Sequence, residues 1–558
     1  METPRSVADG GHADLDGDAD LVLVGAEVCT LAVARPWASA VAIRDGVIVR
    51  VGSDEEVRDL IGARTEVLPL EGSMVLPGFQ DAHCHPASAG RDRLRIDLRE
   101  HQDLPSYRSA IAGYARAHPD EPFLVGSGWS LDVFPSGTPS RHDLDDIVPR
   151  RPVFLMNRDG HGAWVNSAAL ALAGITGGTP DPWDGRIERD VAGEPTGTLH
   201  EGAATRFRDQ FIAPPSDAEC EAAILEAQRY LHSFGITALQ DAAVSEQTLR
   251  SYRSLAERGQ LRLSVVACLW WDRNQGLEQV ENLLDQRKWG TFGPIDAGTV
   301  KIMVDGILEN FTGALVEPYC NGHGDATENS GLLFLEHDEL LGAVSRLDAA
   351  GFQVHMHAIG DRAVRESLDA CEAAQIANGV RDSRHHIAHV QVIAPSDVPR
   401  FAALGVVANC QTFWACTSPQ VMELTIPFLG DERAGWLYRF GDLHRAEAKL
   451  AFGSDWGVST PNPLLELEVA VTRINPLRRG DDVLLPDQRL DLATAVEAFT
   501  LGSAYVNRRD ACSGSLAAGK VADLAVLDRN LFDPAAGPIG DAQVDLTIVG
   551  GQVVFERS

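Results

Sequence analysis

Between about Glu71 and Ala511 the chain alternates strand-like and helix-like runs, and metal-ligating residue types recur at the ends of the strand-like ones. The pattern predicts strands over 236–241, 263–269, 299–304, 353–357, 386–389, 406–409 and 450–452. Helices are predicted between them over 216–234, 277–287, 337–349, 361–376 and 395–404. Such alternation points to parallel β/α units, and an eight-fold closed barrel fits the length. A doubly wound open sheet is the alternative.

The first ligand-type pair lies in Asp81-Ala82-His83-Cys84-His85, after the apolar run Ser73-Met74-Val75-Leu76-Pro77-Gly78-Phe79, which reads as the first barrel strand. Side chains two apart on a strand share a face, so His83 and His85 converge while Cys84 points the other way to pack. Neutral imidazole is the commonest metal ligand. Lys301 lies within the 299–304 strand, His357 ends Val354-His355-Met356-His357, and His389 ends His386-Ile387-Ala388-His389. Asp455 follows Leu450-Ala451-Phe452-Gly453-Ser454. His355 shares a face with His357, so spacing alone leaves either as the ligand. His385 and His386 read as loop or supporting residues. Barrel enzymes carry their chemistry at the C-terminal ends of the strands, where these residues fall. Nitrogen and carboxylate ligands suit one or two zinc ions, with iron or manganese as alternatives.

The flanks differ from the middle. Strand-like runs at 20–24, 39–44 and 47–51 surround the hairpin signal Asp45-Gly46, and those at 522–527, 546–549 and 552–555 surround Gly550-Gly551. Residues 19–72 and 512–558 are therefore expected to combine into a small β-sandwich, with the barrel over 73–511. The stretch from His85 to Ile236 exceeds one β/α unit, so an insertion is expected at about 87–203. The polar, acidic residues 1–18 read as a disordered tail and lack the pattern of a signal peptide.

Composition excludes several classes. The net charge of −32 repels phosphate backbones, which disfavours nucleic acid as a partner. No apolar run is long enough for a membrane helix. The nine cysteines are scattered without a Cys-x-x-Cys pair, as in reduced cytoplasmic proteins. No Gly-rich phosphate loop opens a helix. A homodimer is the default expectation, since symmetric dimers are the commonest oligomers.

The ordered set His83-x-His85, Lys301, His357, His389 and Asp455, preceded by Val75-Leu76-Pro77-Gly78-Phe79, resembles the amidohydrolase superfamily. Asp159-Gly160-His161, His357-Ala358-Ile359-Gly360-Asp361-Arg362-Ala363 and Gly453-Ser454-Asp455-Trp456 are similar to the amidohydrolase-3 branch, which includes N-substituted formamide deformylases. Gly519-Lys520-Val521-Ala522-Asp523-Leu524 resembles the superfamily's C-terminal signature. The resemblance implies a metal-bearing (β/α)8 barrel beside a β-sandwich built from both chain ends. It implies that Lys301 is N-carboxylated and bridges two metals, one held by His83, His85 and Asp455 and the other by His357 and His389. An unmodified Lys301 leaves a single-metal site. Gly457 departs from the family pattern, in which many members carry proline after the tryptophan.

The expected reaction is hydrolysis of a small, hydrophobic N-substituted amide or formamide. A bound metal lowers the pKa of its water to about 7, and the resulting hydroxide attacks the carbonyl. Asp455 takes the water's proton and passes it to the departing nitrogen. His161 is the candidate donor to the carbonyl oxygen. Trp129, Trp164, Phe413, Trp414 and Trp456 are candidates for an aromatic pocket, while Arg158, Asp159 and Arg362 read as loop-holding residues. A cyclic amide or lactone is an alternative substrate. Deamination is disfavoured, because Gly360 stands where such members carry glutamate three residues after the fifth-strand histidine. An inactive scaffold is disfavoured because every ligand position is filled.

Overall fold

The computed structural model describes residues 17–557, apart from 100, 102, 135–136, 159, 161, 183–184 and 310. Most of the expected acidic tail, residues 1–16, lies outside the described residues. The chain forms two compact units, one of 1–85 with 228–558 and one of 86–227.

The first unit is organised around eight parallel strands. They are β1 (Phe79–Cys84), β2 (Ile236–Val244), β3 (Ser264–Trp270), β4 (Ile295–Met303), β5 (Gln353–Ala358), β6 (His386–His389), β7 (Val407–Cys410) and β8 (Leu450–Phe452). Each pairs in parallel with its successor. The sheet closes on itself through Asn409 of β7, whose Nδ2 donates to Ala82 O at 2.8 Å, and through Asp455 N, which donates to His83 O at 2.7 Å. The barrel expected from the alternation is therefore present.

Helix α1 (His337–Ala349) starts with a capping box between Glu336 and Glu339, which satisfies orphan N–H groups of its first turn. Helix α2 (Asp361–Asn378), between β5 and β6, buries Ala363, Val364, Ser367, Leu368, Cys371 and Ala374. Their three- and four-residue spacing is the stripe of a helix lying on a sheet.

The apolar run at 73–79 is not one barrel strand. Met74–Pro77 pairs antiparallel with Leu524–Leu527 and parallel with Glu27–Cys29, while Phe79 starts β1. The partner switches within one residue: Gly78 N donates to Asp523 O and Phe79 N to Gly235 O, both at 2.9 Å. Strands from both ends of the chain thus share a six-stranded sheet, beside a four-stranded one of N-terminal strands alone. Leu23, Val41 and Ile43 of the smaller sheet share one apolar cluster with Val75, Leu524, Val526 and Ile548 of the larger.

The second unit, Pro86–Ala227, holds a six-stranded mixed sheet whose two faces are both buried. Val153 and Leu155 join Trp129 and Trp164 on one face, under helix Leu104–Ala117. Phe154, Ala163 and Val165 pack on the other, against helix Gly202–Phe211. Period-two alternation with both sets apolar is what such a sheet requires.

Among the described residues, no helix is long and apolar enough to cross a membrane. All nine cysteines are free, and Cys84 is buried against Gln240 O.

The starts of β5 and β6 are tied by a buried carboxylate. His385 Nδ1 accepts from Val354 N at 3.0 Å, so its proton sits on Nε2, 3.2 Å from Asp348 Oδ1. Asp348 also accepts from Asn378 Nδ2 at 2.8 Å and from Ser383 Oγ. Burial opposes its charge, but these donors hold its pKa down from 3.8 to about 2. Asp348→Ala strands three donors and is expected to cost about 1–3 kcal/mol in urea unfolding. Because the folded pKa is depressed, the contribution is complete above pH 4 and disappears as the pH falls through about 2. An Asp348→Ala chain as stable as the parent contradicts this tie.

Candidate metal centre

His83, His85 and Asp455 form one tight group at the barrel mouth. His83 Nε2 lies 3.3 Å and His85 Nε2 3.2 Å from the same oxygen, Asp455 Oδ1. Metal bonds of about 2.0–2.2 Å at tetrahedral angles place ligand atoms roughly 3.3–3.5 Å apart, so these separations fit a shared cation. The His389 ring stands 4.8 Å from that of His83 and 4.4 Å from that of His357, which carries the group across to β5. Lys301 of β4 is only 2% exposed and interacts electrostatically with Asp455, His83 and His357. The structure thus brings together the ligand candidates of β1, β4, β5, β6 and β8.

Protonation suits metal binding. Burial and the Lys301 charge push His83 and His357 down to about 3, and burial and His357 hold His389 well below the ordinary imidazole range. All three are neutral lone-pair donors at pH 7. Asp455 turns one carboxylate oxygen toward both His83 and His85. Burial lowers the Lys301 amine to about 8, against the attraction of Asp455.

The local backbone aims these side chains. His389 and Asp455 both take left-handed conformations, with φ of +75° and +53°. Non-glycine residues adopt this region at a cost, so the surroundings must over-determine it. His389 N donates to Gln411 Oε1 at 2.7 Å. Asp455 N is held by His83 O, and His85 N donates to Trp456 O at 2.8 Å. Gly457 has φ of +121°, which a proline ring locked near −65° cannot reach. The turn after Trp456 is thus one closed to proline, and Asp455 stands beside His83 and His85.

His355 and His357, on one face of β5, lie at different depths. His357 donates from Nε2 to Gly306 O at 3.2 Å; a carbonyl only accepts, so Nδ1 keeps the lone pair. His355 sits one layer lower, with Nε2 2.8 Å from His83 Nδ1. His386 packs against His355 with tilted rings 4.1 Å apart, and His385 belongs to the Asp348 tie.

Several supporting residues escaped the sequence reading. Asp81 Oδ1 accepts from His83 N and Ser454 N, both at 3.0 Å; burial raises its pKa to about 6 against these hydrogen bonds. Asp305 accepts from Ala314 N, Ile359 N and Gly360 N at 2.9–3.0 Å, and burial raises it to about 7 against those bonds. Gln240, Gln353 and Asn409 are buried polar residues on barrel strands. The available signal was polar residues two apart within apolar strands, as in Gln353-x-His355-x-His357 and Asn409-x-Gln411.

The aromatic candidates separate. Trp129 and Trp164 are fully buried in the core of the second unit, with their indole N–H groups donating to Leu155 O at 2.7 Å and Ser140 O at 2.9 Å. Trp456 is 3% exposed and packs beside Tyr230. Phe413 and Trp414 are half-buried on the turn after β7. Trp270, unmarked by the sequence reading, ends β3 with 44% exposure, two residues beyond the inward-facing Cys268 and so on its face. Arg158 donates to Arg99 O at 2.8 Å within the second unit, and Arg362 lies 3.8 Å from Glu366. His161 and Asp159 lie outside the described residues. A second group, His337, Glu366 and Asp369, is a surface ion-pair network in which Asp369 meets Arg400 at 2.7 Å.

A family model described as "Amidohydrolase family" matches residues 66–555. The chain is 32% identical over 552 residues to Protein LONG AFTER FAR-RED 3 of Arabidopsis thaliana, covering 96% of this chain and 92% of that protein. It is 27% identical over 552 residues to N-substituted formamide deformylase of Arthrobacter pascens, covering 97% and 99%. A crystal structure of an uncharacterized metal-dependent hydrolase from Pyrococcus horikoshii OT3 superposes with a TM-score of 0.72 at 25% identity, covering 93% of this chain and 99% of that one.

Metal that binds only the folded state adds stability, about 2.7 kcal/mol at a hundredfold excess over Kd. Chelator treatment is therefore expected to lower the unfolding temperature and zinc to restore it. His85→Ala should lose most of that increment. Identical melting of stripped and loaded protein contradicts a metal centre here.

Proposed function

From the premise that this chain belongs to the amidohydrolase family, enzymes acting on carbon–nitrogen bonds other than peptide bonds, we propose that it hydrolyses a small amide or formamide bearing a hydrophobic N-substituent. The observation that carries the reading is the convergence of His83 and His85 on one oxygen of Asp455. Water and the amide give a carboxylic acid, formic acid in the case of a formamide, and a free amine.

Zinc suits the nitrogen and carboxylate ligands, and when bound it supplies an acidified water and a polarised carbonyl. His83, His85 and Asp455 would hold one ion, and His357 and His389 would hold a second. Lys301 would add an oxygen ligand after N-carboxylation, in which its neutral amine nitrogen bonds to the carbon of CO2 and releases a proton. A pKa near 8 keeps a useful fraction of that amine neutral at physiological pH. The product is an anionic oxygen ligand in place of a cation. Asp455 is the catalytic base: it accepts the proton of the attacking water and returns it to the amide nitrogen as the C–N bond breaks.

Phe413 and Trp414 after β7, with Trp270 at the end of β3, offer apolar surface to the N-substituent, whereas Trp456 is buried beside Tyr230. Gly360 argues against a deaminase. A Cβ there would lie 2.0 Å from Ala314 O, so the glutamate of those enzymes has no room.

A panel of aryl and alkyl formamides and acetamides, followed by amine release, tests the substrate class. Turnover is expected to favour hydrophobic N-substituents; turnover confined to small, highly polar amides contradicts the pocket. Asp455→Asn is expected to fold normally and to lose roughly 10²–10⁴ in kcat. A near-normal kcat in that variant removes Asp455 from the role of base.

A further inference from the structure

We infer that His355 is a positioning residue that determines which nitrogen of His83 faces the metal, and that the Val506 carbonyl sets its direction through Gln240. The inference rests on the metal-centre reading above.

A chain of hydrogen bonds crosses the barrel beneath the centre, and its polarity can be read from one end. Val506 O, in the short helix Ser503–Val506, only accepts. Gln240 Nε2 donates to it at 3.2 Å and Gln353 Nε2 at 3.0 Å. With its amide nitrogen committed there, Gln240 turns Oε1 the other way, to within 3.1 Å of His355 Nδ1 and 3.3 Å of Cys268 Sγ. Both neighbours must then donate. A neutral imidazole carries one N–H. With that proton on Nδ1, His355 Nε2 is an acceptor, and it lies 2.8 Å from His83 Nδ1. His83 therefore carries its proton on Nδ1 and presents the Nε2 lone pair, 3.3 Å from Asp455 Oδ1. Two acceptors facing each other at that distance repel unless a cation lies between them.

The ring of His355 is held in place. His386 packs against it with the rings tilted at a centroid separation of 4.1 Å, and Asn409 Nδ2 anchors His386 through Nδ1 at 3.1 Å. Metal-bound histidines usually direct the second nitrogen to a carboxylate or backbone carbonyl. Here a second imidazole takes that place, and it accepts only because Gln240 has fixed its tautomer. A residue that merely filled space would impose no such order of donors and acceptors.

Zinc affinity of the native enzyme, measured by competition with a chromophoric chelator, tests the inference. His355→Gln keeps an acceptor oxygen for His83 and a donor for Gln240; His355→Leu keeps bulk and loses both. The expected result is a roughly 10–100-fold weaker affinity for His355→Leu, with His355→Gln close to the parent. Circular dichroism and unfolding of the metal-free proteins accompany the titration. A folded His355→Leu that binds zinc as the parent does overturns the inference, and so does equal loss in both variants. If His355→Leu does not fold, Gln240→Met decides: weaker binding sustains the inference and unchanged binding overturns it. A parent enzyme that binds no zinc instead defeats the metal-centre reading itself.

Discussion

The seam where the last barrel strand returns to the first holds the centre together. Asp81 and Ser454 are 373 residues apart in the chain, yet Asp81 Oδ1 accepts from both Ser454 N and His83 N. One residue further along, Asp455 N donates to His83 O, and His85 N reaches Trp456 O. These bonds align the ends of β1 and β8 so that two imidazoles from one strand meet a carboxylate from the other. The left-handed backbone at Asp455 is affordable only because this seam over-determines it.

Below the seam, the barrel departs from the usual interior of stacked branched aliphatics. Gln240, Thr299, Gln353, His355, His386 and Asn409 are all buried there. Buried polar groups are costly unless paired, and a paired network rigidifies its members. Thr299 Oγ1 donates to Gln353 Oε1 at 2.7 Å, and Gln353 Nε2 to Arg384 O at 2.8 Å, so the amides are oriented by carbonyls that cannot turn round. That orientation passes upward into the imidazoles. Asp305 does comparable work at the rim, where its three N–H contacts shape the turn that follows His357.

The candidate ligand positions were legible because each is a metal-binding residue type in or just after a strand, with His83 and His85 two apart. The helix His337–Ala349 and the strands His386–His389 and Leu450–Phe452 follow from the same periodicities and begin and end where the sequence placed them. The Pro77-Gly78 break was not legible, because the apolar run from Met74 continues through it to Phe79 and only the strand partners differ on the two sides. The tryptophans show the same limit. An indole buried in a core and one lining a pocket look alike in sequence, and Trp129 and Trp164 proved to fill the core of the second unit.

The amino-acid order by itself determined the parallel β/α alternation, the hairpins at both ends and the set of side chains able to bind a cation. These depend on short-range periodicity and turn chemistry, which a chain carries wherever it goes. Only the tertiary structure decided that His357 rather than His355 stands at the mouth, that His355 supports His83 from below, and that strands from both termini share one sheet. Depth within a barrel, the direction of an amide and the choice of strand partner are relations between distant residues, and no local pattern encodes them.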